Sequence, residues 1–156
     1  MRFLSLLIFT VSSFVVQANE VSEARKLTTF AHEYFNKMVA TQMPTASEKE
    51  LDDYLTLLTD DVGHAHLPWV VDDSRYPDGK QKMKKGMTYY LGAHTEFRAK
   101  LLSIYTFNNS AIAIRYQKWI KGVHPQTGKI IDSAKTFMEV LELEDGKVAV
   151  IRKYHE

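Results

Sequence analysis

The sequence predicts an α+β domain in which N-terminal helices pack on a curved, mainly antiparallel sheet, making a half-open cone. Three observations predict it. Through the first half of the chain, apolar residues recur every three to four positions, the period of a helix with one buried face. The last third switches to alternation, the period of a half-buried strand. That alternation is interrupted at Asn108-Asn109 and Asp145-Gly146, pairs suited to tight hairpin turns. Helices followed by a run of strands make an α+β domain.

Composition narrows the class further. The chain has 156 residues, 45% of them hydrophobic and 25% charged, which fits one folded globular domain and excludes a disordered chain. Its formal net charge of +1 gives no bulk electrostatic reason to bind nucleic acid or an anionic membrane. It has no Cys, so disulfides, Cys-ligated zinc and thiol catalysis are excluded. No Gly-rich phosphate loop occurs, and the residues imply no cofactor.

Residues 1–18 read as a secretory signal peptide. Arg2 supplies the charge, an apolar run follows, and Val16-Gln17-Ala18 fits a small-x-small cleavage pattern. The run is too short for a membrane span, which needs ~20 apolar residues. The expectation is a periplasmic or secreted domain over 19–156, with no membrane attachment after cleavage.

The elements follow in order. Ala24, Leu27, Ala31, Tyr34, Phe35 and Met38 stripe a helix over 21–40, with Ser22 as its N-cap and Pro44 beyond its end. Ser47 and Glu50 form a capping box opening a second helix striped by Leu51, Tyr54, Leu55 and Leu58, which Thr59-Asp60-Asp61 ends. Residues 62–67 alternate as a short strand, and 70–78 form a polar loop. Residues 80–92 predict a third helix, with Met83, Met87, Tyr90 and Leu91 on one face and Lys80, Lys82, Lys84 and Lys85 mostly on the solvated other. Strands are expected over 99–107, 111–120, 130–143 and 147–154.

Several stretches resemble the nuclear transport factor 2-like superfamily, in particular its SnoaL-like branch of small bacterial proteins. Leu57-Leu58-Thr59-Asp60-Asp61-Val62, followed by His64-x-His66-x-Pro68, is similar to that family's helix-to-strand junction. Gly79 before a helix is similar to its third helix, and 147–156 to its closing strand. The resemblance implies a cystatin-like cone with an internal pocket, and dimerisation through the sheet. Its members include ketosteroid isomerases, polyketide cyclases, dehydratases, epoxide hydrolases and proteins without catalysis, so fold alone does not select a function.

His64 and His66 are the sharpest chemical feature. Two apart on a strand, they share a face, where two imidazoles can move protons near neutral pH or bind a metal. A metal would need a third ligand such as His94, His155 or Glu139, and none stands at a metal-ligand spacing, so no metal is assigned. The resemblance makes Asp61 a possible counterpart of a proton-abstracting carboxylate.

The strand at 111–120 sets Ala113, Arg115, Gln117 and Trp119 against Ile112, Ile114, Tyr116 and Ile120. The mixed face reads as pocket wall, and an Arg115–Glu139 pair across the sheet is expected. The aliphatic face reads as an outer surface covered by a second copy. Trp69, Tyr105, Trp119 and Tyr154 complete the expected ligand-binding set with Arg115 and Glu139. Two functions follow. One is a binder of a small, largely apolar molecule. The other is a cofactor-free isomerase, cyclase or hydro-lyase, with His64 or His66 as acid-base and Tyr105 or Trp119 holding a carbonyl or hydroxyl oxygen.

Overall fold

The computed structural model describes the backbone over residues 7–156 and side chains from residue 23 onward. The charged start of the expected signal peptide and the side chains of its apolar run therefore lie outside the described residues. Among the described residues, three helices and five strands follow one another as α1 (Leu7–Ala40), α2 (Glu48–Leu55), β1 (Leu58–Leu67), α3 (Gly79–Thr88), β2 (His94–Phe107), β3 (Ala111–Val123), β4 (Ile130–Glu144) and β5 (Lys147–His155). Among the described residues, no helix is long and apolar enough to cross a membrane.

The sheet has the order β1-β5-β4-β3-β2. Strands β2 to β5 form an antiparallel meander, and β1 lies parallel to β5, pairing His64 with Ile151 and His66 with Lys153. Irregular register at Leu58/Gly63, His94/Glu96, Leu101/Ser103 and Glu142/Leu143 bends the strands. Both hairpins form as their residues require. Asn108, Asn109, Asp145 and Gly146 all take positive φ, the conformation of a type I′ turn.

The helices fill the concave face. Ala31, Tyr34, Phe35 and Met38 of α1 and Leu51, Tyr54 and Leu55 of α2 pack against Ile112, Ile114, Tyr116, Phe137, Leu141 and Ile151. Each aliphatic side chain so buried contributes about 1.5–3 kcal/mol relative to exposure. The capping box is present: Ser47 Oγ accepts from the Lys49 amide, while the Ser47 amide donates to Glu50 at 2.9 Å. Two glycines let neighbouring chain approach β1. A Cβ on Gly63 would lie 2.1 Å from the Asp73 carbonyl oxygen, and one on Gly79 would lie 2.4 Å from that of Val62.

Several boundaries differ from expectation, among them the end of β3, which lies at Val123 and not at 120. Ser22 lies within α1 and does not cap it, because the helix already runs from Leu7. Helix α2 stops at Leu55, and Leu58 opens β1 in register with Val148, so Thr59, Asp60 and Asp61 belong to a strand. Pairing with the final strand overrides the helical spacing of Leu58. Helix α3 ends at Thr88, with Gly92 at φ +73° closing the turn beyond it. Strand β2 starts at His94, since pairing with Gly122 and Lys121 draws in the polar residues before Ala99.

The largest correction concerns the faces of β3. Ile112, Ile114 and Tyr116 are fully buried beneath the helices, so they are not an outer surface. Pocket and core occupy the same concave face: the helices cover one end of it and leave the other open. Ala113, Arg115, Gln117 and Trp119 point to the outer face instead.

Candidate functional site

A cavity of about 510 Å³ opens between the concave face of the sheet, α1 and α3. That is the size of a small-molecule site. Met83 and Met87 of α3, Met38 of α1, and Ile120, Ile131 and Phe97 of the sheet give it apolar walls. The helical spacing of Met83 and Met87 places both on one side of α3. Along the adjoining edge of that helix, ion pairs tie it to β1 and α2, Lys80 to Asp60 at 2.7 Å and Lys84 to Asp52 at 2.5 Å.

The polar side of the cavity centres on Glu139, which is 1% exposed. Its Oε1 accepts from Tyr116 Oη at 2.7 Å and from Lys153 Nζ at 2.7 Å, and its Oε2 accepts from Tyr34 Oη at 2.8 Å. Tyr54 Oη lies 3.1 Å from Tyr34 Oη and extends the network. Burial by itself would raise the Glu139 carboxyl, but the Lys153 charge and the three hydrogen bonds outweigh it and hold the group ionised, below the usual carboxylate range. Burial first, and the Glu139 charge second, push the hydroxyls of Tyr34, Tyr54 and Tyr116 upward, so all three remain donors.

His64 and His66 both face the cavity, with their Nε2 atoms 2.9 Å apart and their rings edge to face at 4.4 Å. One nitrogen must donate and the other accept, so the contact requires at least one neutral ring. Desolvation, then the Lys153 charge, lowers His64 to about 4 and His66 to about 3. At pH 7 both imidazoles are neutral.

Three further residues complete the surroundings. His94 Nδ1 donates to the Gln42 carbonyl at 2.8 Å and the ring stacks on Phe97. His155 packs between Phe137 and Trp69, with ring centroids 4.6 and 4.5 Å away, and its buried ring nitrogens have no protein partner among the described residues. Lys118 reaches over the Phe137 ring at 4.5 Å. Burial and the neighbouring Lys153 lower its amine to about 7.

The residues expected from sequence thus divide. His64, His66 and Glu139 line the cavity together. Asp61 does not join them: its carboxylate pairs with Arg75 at 2.8 Å on the surface. Arg115 makes a two-pronged pair with Glu156, both contacts 2.8 Å, so the expected Arg115–Glu139 pair does not form. The reason is parity, since Arg115 opposes Met138 and points to the outer face while Glu139 points inward. Tyr105, Trp119 and Tyr154 share that outer face, where Tyr105 is 59% exposed. Trp69 is 68% exposed and meets the site through its contact with His155. Among the described residues, no three His, Asp or Glu side chains are placed to share a metal ion.

Sequence reasoning missed Tyr34, Tyr54 and Tyr116 as Glu139's surroundings, and it missed Lys118 and Lys153. Lys118 carried a signal: it is a lone cation in the inward series Ile112, Ile114, Tyr116, Lys118, Ile120.

No family model and no curated protein matches the sequence. Solved structures match in shape. A nuclear transport factor 2-like protein of unknown function from Exiguobacterium sp. 255-15 is 14% identical with a TM-score of 0.60, over 81% of this chain and 98% of that one. A nuclear transport factor 2-like protein from Anabaena variabilis is 19% identical with a TM-score of 0.60, over 83% and 88%. A ketosteroid isomerase-like protein from Erwinia carotovora atroseptica is 10% identical with a TM-score of 0.56, over 85% and 95%. Likeness at these identities establishes the fold, and this chain has the nuclear transport factor 2-like fold.

Proposed function

We propose, starting from that fold and its open cone, that the protein binds a small, largely apolar molecule in the cavity between α1, α3 and the sheet. The observation that carries the reading is the division of the lining. Apolar walls surround a polar cluster whose carboxylate is already satisfied by three protein donors. Such a cluster is a fixed, preorganised surface, suited to orienting a ligand.

The proton-moving alternative has less behind it. An imidazole at about 4 or about 3 is a weak base, and being neutral at pH 7 it lacks the second ring proton that an imidazolium gives up as a general acid. Glu139 is likewise held ionised by Lys153. The resemblance to ketosteroid isomerase-like folds supports an enzyme only at the level of architecture.

The test is binding of the neutral dye N-phenyl-1-naphthylamine, followed by its fluorescence. The native chain should bind it, and Met87→Trp, which fills the cavity from α3, should abolish binding while the chain stays folded. Equal binding by both proteins would refute the pocket as the site. We also infer that the chain is exported and cleaved after Ala18, giving a periplasmic or secreted protein. The charged start, apolar run and Val16-Gln17-Ala18 support this. Mass spectrometry of protein recovered outside the cytoplasm should find Asn19 first, and an intact Met1 would count against it.

A further inference from the structure

We propose that the cavity takes a small apolar monocarboxylate, with its acid head held by Lys118 and its tail along Met83, Met87 and Ile120. The inference rests on the reading of the cavity as a ligand site and goes further by naming the head group. It starts from a charge imbalance. Among the described residues, three cations line the cavity, Lys82, Lys118 and Lys153, against a single acid, Glu139. Lys153 is paired with Glu139 at 2.7 Å, and Lys82 with Asp78 at 2.8 Å. Lys118 has no acid partner among the described residues. Its ammonium lies over the Phe137 ring, 4.5 Å from the centroid.

An unpaired ammonium in an apolar enclosure is costly, and a ligand carboxylate offsets that cost directly. The position of Lys118 also sets the direction of the ligand. Along β3 the inward side chains run Tyr116, Lys118, Ile120. Tyr116 belongs to the Glu139 network, while Ile120 belongs to the apolar wall. Lys118 therefore stands at the boundary, where a head group meets a cation and a tail meets hydrocarbon. One unpaired cation matches one negative charge. A dianion such as a phosphate would leave a charge uncompensated beside Glu139.

The groups around Lys118 that bear on its charge are Lys153 and His155 of β5, Glu139 and Lys135 of β4, and the neutral His64 and His66 of β1. Burial and these cations bring its amine to about 7. An acid bound there favours the ammonium, so binding near neutral pH takes up a proton.

The experiment is isothermal titration calorimetry of the full chain with 4-phenylbutyrate and its neutral match, 4-phenylbutyramide. At about pH 6 the acid should bind at least about tenfold more tightly than the amide, as a charge-assisted contact requires. That advantage should shrink at about pH 8.5. Buffers of different ionisation heat should report proton uptake near pH 7 in the unmodified protein, a readout that needs no variant. Lys118→Met should erase the acid's advantage over the amide, since the charged contact is removed. Equal binding of acid and amide would overturn the head-group assignment and leave the pocket standing. So would a preference that survives Lys118→Met. Binding of neither compound would overturn the assignment and the pocket reading together.

Discussion

Replacing Glu139 by Gln removes a charge and keeps the shape. The native carboxylate accepts from Tyr34, Tyr116 and Lys153, and it is fully enclosed. The amide put in its place has one acceptor oxygen for those three donors, and its NH₂ turns a donor toward a hydroxyl that was donating. The Lys153 side chain is only 15% exposed, so its ammonium is left without its partner in a dry site. Breaking a buried pair from one side costs about 3–5 kcal/mol, and the surviving hydrogen bonds put this case near the lower end, about 3 kcal/mol. For a domain of this size that lowers Tm by roughly 10 °C. Urea unfolding should show the midpoint falling with an unchanged slope. The decisive comparison is with Glu139→Gln plus Lys153→Met. Once both charges are gone, most of the loss should return, so the double variant should be more stable than Glu139→Gln alone. A loss below about 1 kcal/mol for Glu139→Gln, or a double variant as unstable as the sum of its singles, would refute the buried pair as the organiser of the cavity.

Three other outcomes are expected. Stability should fall on mild acidification: His64 is held near 4 in the fold, chiefly by desolvation, while an unfolded histidine protonates near 6.5, so the unfolded state binds more protons below that pH. The loss from His64 is ~3 kcal/mol between about pH 6.5 and 4, with His66 adding to it, while Glu139's contribution fails only at still lower pH. Urea midpoints that stay level from about pH 7.5 to 5 would contradict this. Gly63→Ala should cost about 1–3 kcal/mol by the same assay, because the added methyl meets the Asp73 carbonyl and the 70–78 segment has to shift. A midpoint unchanged by that substitution would show the loop to be freely movable. The chain should form a homodimer through the outer sheet face, where Tyr105, Phe107 and Met138 are exposed. Light scattering at micromolar concentration should give twice the chain mass, and Tyr105→Lys should return the monomer.

Much of this architecture was legible because it depends on short-range chemistry. The stripe of α1, the Ser47–Glu50 box and the Asn108-Asn109 and Asp145-Gly146 turns each follow from a few adjacent residues. The shared face of His64 and His66 needed only the period of a strand. What escaped was long-range. Tyr34 and Tyr54 look in sequence like any core aromatic, and nothing local says that the Tyr34 hydroxyl meets a carboxylate 105 positions later. Leu58 fitted the helical stripe of α2 until a partner from the other end of the chain claimed it. The error over β3 had a different source. In a cone an aliphatic face and a pocket face are not alternatives: they are successive stretches of one surface. Parity then sent Arg115, Trp119 and Tyr105 to the wrong side together.

The parallel pairing of β1 with β5 fixes the order in which this molecule can be completed. His64 and His66 precede by more than eighty positions the strand that pairs with theirs, which carries Lys153. A chain interrupted before Lys147 carries β1 as an open edge, with its imidazoles facing an absent neighbour and Glu139 without its cation. Contacts so distant in sequence are slow to form, because a long loop must close before they return any stability. Maturation of the cavity should therefore be a late kinetic event, waiting on the docking of β5. Deleting residues 153–156 should therefore damage the interior, since it removes the Lys153 partner of Glu139 and the His155 ring packed on Phe137.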